Sequence, residues 1–494
     1  MQGFRLPSTV FNIARSRTGL PSFRDGAATH NTQADETIAA VVDEELKLPK
    51  LSSLAIILLA NVWSQLTFFI VVSSSNEYAA HLGGTATFAG LVIGIPTAIS
   101  GLTLPFLTRW DQGGYKRPLN FACACQILGN ILYALAYRAN FLYLILIGRM
   151  VCGGGFTWFM YTKRYCSDPR IVGIRRRTTL AGWQVLGQGI GFSAGPFVGG
   201  LLFKVGFGNS VFNGFTSPGW LMAAMWAAFW VAVQVFFEDV PCTVSSAIPL
   251  QPITASANKD NKALDEAAIS EVPEGSRSPS PSPSPSPPPA PAFKMAPNQV
   301  GVTLTMCWFA MLCFFVLGAW ESNIPVFTGS DAPQNPFHFS PFAAGNLIAL
   351  GGACTIPFLL LNLHVARRVQ DRHTLAVGTA VGTAGLVLAL ALLAARRVAY
   401  GPFFVAWLLV ALGFNVASTV TLSLLSKQLP GEWNGRVSMF IQYSNYTGRV
   451  TGAVWGGAGV KVGMLGYVGL QLGLVGIGCV MFMSLWKNLK AKMG

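Results

Sequence analysis

Apolar residues in this chain run together in long blocks, and polar residues collect between the blocks. A bilayer-spanning helix needs ~20 mostly apolar residues, and a tilted one runs longer. Blocks of that kind lie at 52–74, 87–107, 119–137, 141–162, 178–202 and 217–237, then at 301–323, 341–363, 374–395, 401–426, 436–459 and 464–486. The pattern predicts twelve transmembrane helices, six plus six, in two six-helix halves at 51–237 and 299–487.

The break between the halves, 238–298, has a different character. It closes on GSRSPSPSPSPSPPPAPA, a Ser/Pro repeat that forms neither helix nor sheet, so a disordered, solvated spacer is expected. Its Ser-Pro steps and Pro-rich run are also compatible with phosphorylation or SH3/WW recognition. Residues 1–50 hold no span. Their opening is rich in Arg and Ser and free of acids, like an organellar transit peptide, but ADETIAAVVDEELKLPK is acidic. A disordered cytosolic tail is the plainer reading, and 488–494 forms a second, short tail.

Composition turns the pattern into a class. Hydrophobic residues make up 52% of the chain and charged ones only 11%, against about 25% charged in a typical soluble domain. The net charge of +14 fits basic loops on one membrane face, and no basic patch interleaved with aromatics points to nucleic acid. Lys and Arg concentrate after the second, fourth, eighth and tenth segments and in the C-terminal tail. The positive-inside rule then places both termini and the central linker in the cytosol. The nine cysteines mostly sit in apolar runs without zinc spacing and read as small hydrophobes. No cofactor or metal is expected. There is no Walker loop or nucleophile elbow, so the chain does not read as an enzyme.

GWQVLGQGIGFSAGPFVGG, residues 182–200, raises the possibility of a phosphate-binding loop. That loop needs a strand before it and an acid about 20 residues on, and the third glycine here comes one residue early. Instead Gly187, Gly191, Gly195 and Gly199 recur every four residues, the small-xxx-small face of packed membrane helices. Pro196 is expected to kink that helix.

The full spacing of Gly182, Gly191, Gly195, Pro196, Gly199 and Gly200 resembles the fifth-helix motif of major facilitator superfamily carriers, which is associated with antiporters. RWDQGGYKRP resembles that family's gate loop through Asp111, Gly114, Lys116 and Arg117, with Leu107 and Gln112 departing from it. LIGRMVCGGG resembles its motif around an intramembrane arginine, here Arg149. The resemblance implies two pseudo-symmetric halves and alternating access, with Asp111, Gly114, Lys116 and Arg117 as a cytoplasmic gate. More narrowly, NSVFNGFTSPGWLMAAMW, AWESNIP and SLLSKQLP…GRVTG are similar to lysosomal facilitator-domain proteins and to the carrier part of SPX-type vacuolar phosphate transporters. That implies a vacuolar or lysosomal membrane, the plasma membrane being the alternative. The first 50 residues leave no room for an SPX domain, so neither inositol-phosphate sensing nor phosphate as the solute is expected.

Ionisable residues at membrane depth are costly and mark candidate sites. Arg149, Glu321 and Arg449 are three such residues. Ser438, Gln442, Asn445 and Arg449 share a helical face. Asn61 and Gln65, Gln184 and Gln188, and Asn415 with Ser418 and Thr419 add polar groups on other spans. The expected translocation set is Asn61, Gln65, Arg149, Gln188, Asn415, Gln442, Asn445 and Arg449, each also readable as interhelical glue. Glu321 is the candidate proton-coupling carboxylate, or half of a gate salt bridge. Glu77 reads as an exposed loop residue. Two arginines against one carboxylate favour a small anionic solute, and the family resemblance implies coupling to a proton gradient, as symport or antiport, by a carrier expected as a monomer in the lipid bilayer. A nutrient sensor or a channel-like anion pathway on the same fold is the alternative.

Overall fold

The computed structural model describes residues 46–168, 170–240, 295–365, 368–429 and 434–489. Most of the N-terminal tail, nearly all of the Ser/Pro linker with Cys242, Ala366 and Arg367, and the last five residues lie outside these.

The long helices are α1 (Leu51–Phe69), α2 (Ala86–Trp110), α3 (Lys116–Ala139), α4 (Leu142–Ser167), α5 (Ile174–Val205), α6 (Ser217–Phe236), α7 (Pro297–Thr328), α8 (Pro341–Val365), α9 (Asp371–Ala394), α10 (Tyr400–Ser426), α11 (Asn434–Val462) and α12 (Met464–Ser484). Eleven of them are long and apolar enough to cross a membrane by length and composition. The twelfth, α11, falls outside that set because it carries the Ser438–Arg449 polar stripe, yet at 29 residues it has the length. The chain is an all-α, multi-pass membrane protein with twelve transmembrane helices in two halves, α1–α6 and α7–α12.

Local chemistry sets the helix ends. Thr85 caps α2 by accepting the Phe88 N–H at 3.2 Å. Pro at the first turn opens α6 and α7. Asn140, left-handed at φ 46°, ends α3 and turns the chain into α4. Two boundaries depart from the apolar blocks. The first block, read as 52–74, ends as helix at Phe69, turns, and continues as a short helix Ser75–His81 in which Glu77 is half-buried. The fourth, read as 141–162, extends to Ser167 with a break at Phe156 and Thr157.

The glycine face predicted on α5 packs against α1. A Cβ on Gly195 or Gly199 would strike the backbone at Phe69 and Ile70, and one on Gly191 the Gln65 Cβ. The helix runs on through Pro196. The opposite half repeats the device, which the sequence reading overlooked: Gly448, Gly452 and Gly456 seat α11 on the backbone of α7 at Met311, Phe315 and Ala319.

The same two helices also face across the seam between halves, α5 on α8 and α11 on α2. The face on which α1 begins and α12 ends is the terminal face, and the opposite one is the far face. Near the far face the seam is backbone on backbone, with Gly457 against Ala86, Gly90 against Ala453 and Gly345 against Pro196. Toward the terminal face side chains intervene. Tyr443 donates to the Gly101 carbonyl at 3.1 Å, Tyr446 meets Ser100 at 3.3 Å, and Phe192 and Ile356 fill the gap between α5 and α8. The halves therefore form a V with its apex at the far face.

Substitution should separate seam glycines from lipid-facing ones. Gly199→Val and Gly452→Val force backbones apart and should each destabilise the purified protein by about 3 kcal/mol or more. Gly473→Ala, with nothing within 4 Å of the added methyl, should leave the melting temperature unchanged. Equal tolerance in thermal unfolding assays would show the close approach to be unimportant.

Candidate functional site

The V encloses a cavity of about 240 Å³. Polar side chains reach it from most of the surrounding helices: Gln65 (α1), Thr97 (α2), Lys163 (α4), Gln188 (α5), Glu321 (α7), Thr355 (α8), Asn415, Ser418 and Thr419 (α10), and Gln442, Asn445 and Arg449 (α11). Phe68, Phe69, Phe159, Phe192, Phe314 and Tyr446 form the aromatic wall.

At its inner end Arg449 and Glu321 form a bidentate ion pair. Nη1 donates to Oε1 at 3.1 Å and Nη2 lies against Oε2, with both residues buried. The guanidinium also stacks over Phe68 and Phe69, 5.0 and 5.2 Å from the ring centroids. Gly318, one turn before the carboxylate, lets α11 approach at the Arg449 carbonyl. Removing one partner of such a pair leaves a buried charge uncompensated, a cost of several kcal/mol. Protonating Glu321 weakens the attraction and leaves the buried Arg449 charge in need of another partner. One turn away, the buried Asn445 Oδ1 has no hydrogen-bond partner among the described residues.

Two expected cavity residues are elsewhere. Arg149 is 1% exposed and spreads its guanidinium over backbone: Nε to the Val92 carbonyl, Nη1 to Thr67 and Nη2 to Phe68, each at 3.3 Å. It satisfies carbonyls where α1 ends, and its guanidinium lies 5.6 Å from the Phe68 ring centroid, the ring that Arg449 also meets. Asn61 is buried between helices, donating to the Gln184 carbonyl at 3.0 Å while Gln184 donates to Thr162 at 2.6 Å. Both lie outside the cavity lining, with the Arg149 nitrogens and the Asn61 amide nitrogen donating to backbone, while the Asn61 Oδ1 has no hydrogen-bond partner among the described residues. Ser438 is outside it too, whereas Gln65, Gln188, Asn415, Gln442, Asn445 and Arg449 line it.

Lys163 is the residue the sequence reading missed. It lies one position past the predicted end of the fourth segment, so it counted as loop. The signal was its spacing of four from Phe159 on a continuing helix.

The gate-loop residues form a brace on the terminal face. Asp111 accepts from Arg164 at 2.8 Å, from Tyr161 at 2.9 Å and from the Gly113 N–H at 2.7 Å. Asp239 caps α3 through the Tyr115 and Lys116 N–H groups, and a Cβ on Gly114 would meet its carboxylate at 2.9 Å. Arg117 donates to Gln112 at 2.8 Å. Asp168 accepts from the Tyr115 hydroxyl at 2.7 Å and binds Arg170, which also donates to the Gly113 carbonyl. These bonds all join parts of the N-terminal half. In this conformation the loop stiffens one half, and the bonds described for it include no lock to the other.

Burial alone would raise the Asp168 pKa, but hydrogen bonds from Arg170 and Tyr115 outweigh it and hold it below the usual carboxylate range. A folded pKa below the unfolded one stabilises above the ordinary carboxylate range and is lost as pH falls through the depressed value. Asp168→Asn should therefore destabilise by about 2 kcal/mol at neutral pH, with wild type and variant converging in strong acid in thermal unfolding. Arg149→Ala, which strands three carbonyls, should lower stability by about 2–4 kcal/mol whether or not solute is present. A variant that kept its melting temperature but lost solute binding would return Arg149 to the site.

A family model described as the Major Facilitator Superfamily matches residues 54–453. An uncharacterized MFS-type transporter of Schizosaccharomyces pombe is 32% identical over 461 residues, 91% of this chain and 85% of that protein. An SPX domain-containing membrane protein of Arabidopsis thaliana is 27% identical over 399 residues, 74% of this chain and 54% of that protein. Among solved structures, a POT family transporter in complex with a thioalcohol conjugated peptide superposes with TM-score 0.63 at 10% identity, covering 91% of this chain and 100% of that one. A bacterial homologue of the iron transporter ferroportin in its inward-facing state superposes with TM-score 0.58 at 13% identity, covering 88% and 98%. At these identities the structures speak for the fold alone.

Proposed function

The chain belongs to the major facilitator superfamily of secondary transporters, and from that premise we propose that it carries a small anionic solute by proton-coupled alternating access. The observation that carries this reading is the Glu321–Arg449 pair at the inner end of the cavity. A solute anion and the Glu321 carboxylate compete for one guanidinium. When Glu321 is ionised it occupies Arg449. When a proton binds a Glu321 oxygen, the attraction falls and Arg449 is free to take the anion. Solute and proton are then taken up together, which favours symport over the antiport that the fifth-helix motif implies by association.

The seam supplies the motion. Its far-face contacts are close enough to act as the hinge side in this state, and rocking of the halves would open them while closing the terminal face. Asp111, Gly114, Lys116 and Arg117 keep α2, α3 and α4 moving as one body. The positive-inside distribution supports cytosolic termini, so the cavity faces the cytosol here. The resemblance to SPX-type vacuolar carriers supports a vacuolar or lysosomal membrane. Each half contributes to a single cavity within one chain, which supports a monomer as the working unit.

In proteoliposomes with an imposed pH gradient, uptake of small anions should saturate, show counterflow and rise as the external pH falls. Glu321→Gln should reduce gradient-driven uptake at least about tenfold, roughly 1.4 kcal/mol of lost coupling, while exchange persists. Arg449→Gln should lose both. Uptake by Glu321→Gln that still follows the gradient would refute coupling through this pair, and flux without counterflow would mark a channel.

A further inference from the structure

The cavity holds a second cation that the ion pair does not explain. Lys163 lines it from α4 in the N-terminal half, whereas Arg449 reaches it from the C-terminal half. The Lys163 ammonium has no hydrogen bond or ion pair among the described residues, while each other charged side chain in the lining is paired: Arg449 with Glu321 and Glu321 with Arg449.

A lysine within a membrane span is costly unless it snorkels to the interface or faces water or a partner. Lys163 faces the cavity, one helical turn after Phe159 on the same wall. Its position along the helix separates it from Arg449. Lys163 is four residues from the terminal-face end of α4 and Arg449 fifteen from that end of α11, so with ~1.5 Å rise per residue their backbones differ in depth by on the order of 15 Å. A solute entering from the terminal face meets Lys163 first.

We propose that Lys163 is a mouth-side anion station: it binds the anionic group of the solute while Arg449 is still held by Glu321, and so concentrates the solute at the open end of the V. The assignment deepens the anion-carrier reading and rests on it. With Glu321 ionised the lining carries one net positive charge, and that charge is Lys163. One anionic group neutralises it without breaking the inner pair. Loading at the mouth and transfer to Arg449 thus become separate events, the first needing no proton. Because the ammonium has no partner among the described residues, its removal should leave the protein's own stability intact, unlike removal of Arg149 or Asp168.

The test uses the full chain in lipid nanodiscs, with inorganic phosphate, sulfate and succinate as probes at constant ionic strength balanced by chloride. Thermal shift against concentration gives a dissociation constant for each. Saturable stabilisation of the wild type by at least one probe is expected at a pH where Glu321 is ionised. Lys163→Gln should weaken that binding about tenfold or more, the scale of one lost charge-assisted contact. Lys163→Arg should restore it to within about threefold, and the probe-free melting temperature should be the same for all three proteins. Wild-type affinity in Lys163→Gln overturns the station. If Arg449→Gln then abolishes binding, the anion-carrier reading survives and only the station falls. Failure of all three probes to bind wild type overturns both.

Discussion

In a bilayer no hydrophobic effect draws one apolar helix onto another, because lipid tails are as apolar as the side chains. Close backbone approach has to supply the attraction, and in this protein two glycine ladders permit it. On α5 they seat the helix against α1, and on α11 against α7. Each of these helices then presents a second face across the seam. The same pair of helices thus builds each half and joins the two. Because the seam is tightest where small residues meet backbone, and widens where Tyr443, Tyr446, Phe192 and Ile356 intervene, side-chain size alone grades it from a closed far face to an open terminal one.

That geometry decides what each buried charge does. Arg149 and Arg449 look alike along the chain, both being single arginines inside apolar helices. Arg149 faces the end of α1, where a turn interrupts the helix and leaves carbonyls to satisfy. Arg449 faces the cavity, where Glu321 is its partner. Both guanidinium groups meet the Phe68 ring. The first arginine therefore helps fix the platform on which the second sits, a structural link between α4 and the inner ion pair.

The terminal face has its own economy of charge. Asp111, Asp168 and Asp239 come from the ends of α2, α4 and α6, and all three bind the loop between α2 and α3 or groups beside it. Three elements of one half are tied at one point, so that half can tilt as a unit. A carrier that rocks two bodies about a solute needs stiffness within each body as much as a weak seam between them.

Much was legible along the chain because a bilayer imposes a strong rule: every backbone polar group must be satisfied inside its own segment. Twenty-residue apolar blocks then mean helices, and four-residue glycine spacing on 187–199 means a packed face. Basic residues clustered at alternate loops give an orientation to test. The ladder at Gly448, Gly452 and Gly456 obeys the same spacing and was equally readable. Hydropathy also marked Glu321 and Arg449 as expensive and so worth a role. What spacing could not assign was direction. A helix turns 100° per residue, and a two-residue break at Phe156 and Thr157 resets its phase. Whether Arg149 points to backbone, Asn61 to a neighbouring helix or Lys163 to the cavity depends on where other helices stand. Sequence by itself determined the spans and the costly residues, because those follow from local transfer of each segment into lipid, and its motifs carried the resemblance that implied the fold. Only the tertiary structure decided which of those residues meet, because a polar group's role in a membrane is set by the nearest partner that satisfies it, and that partner is usually far away in the chain.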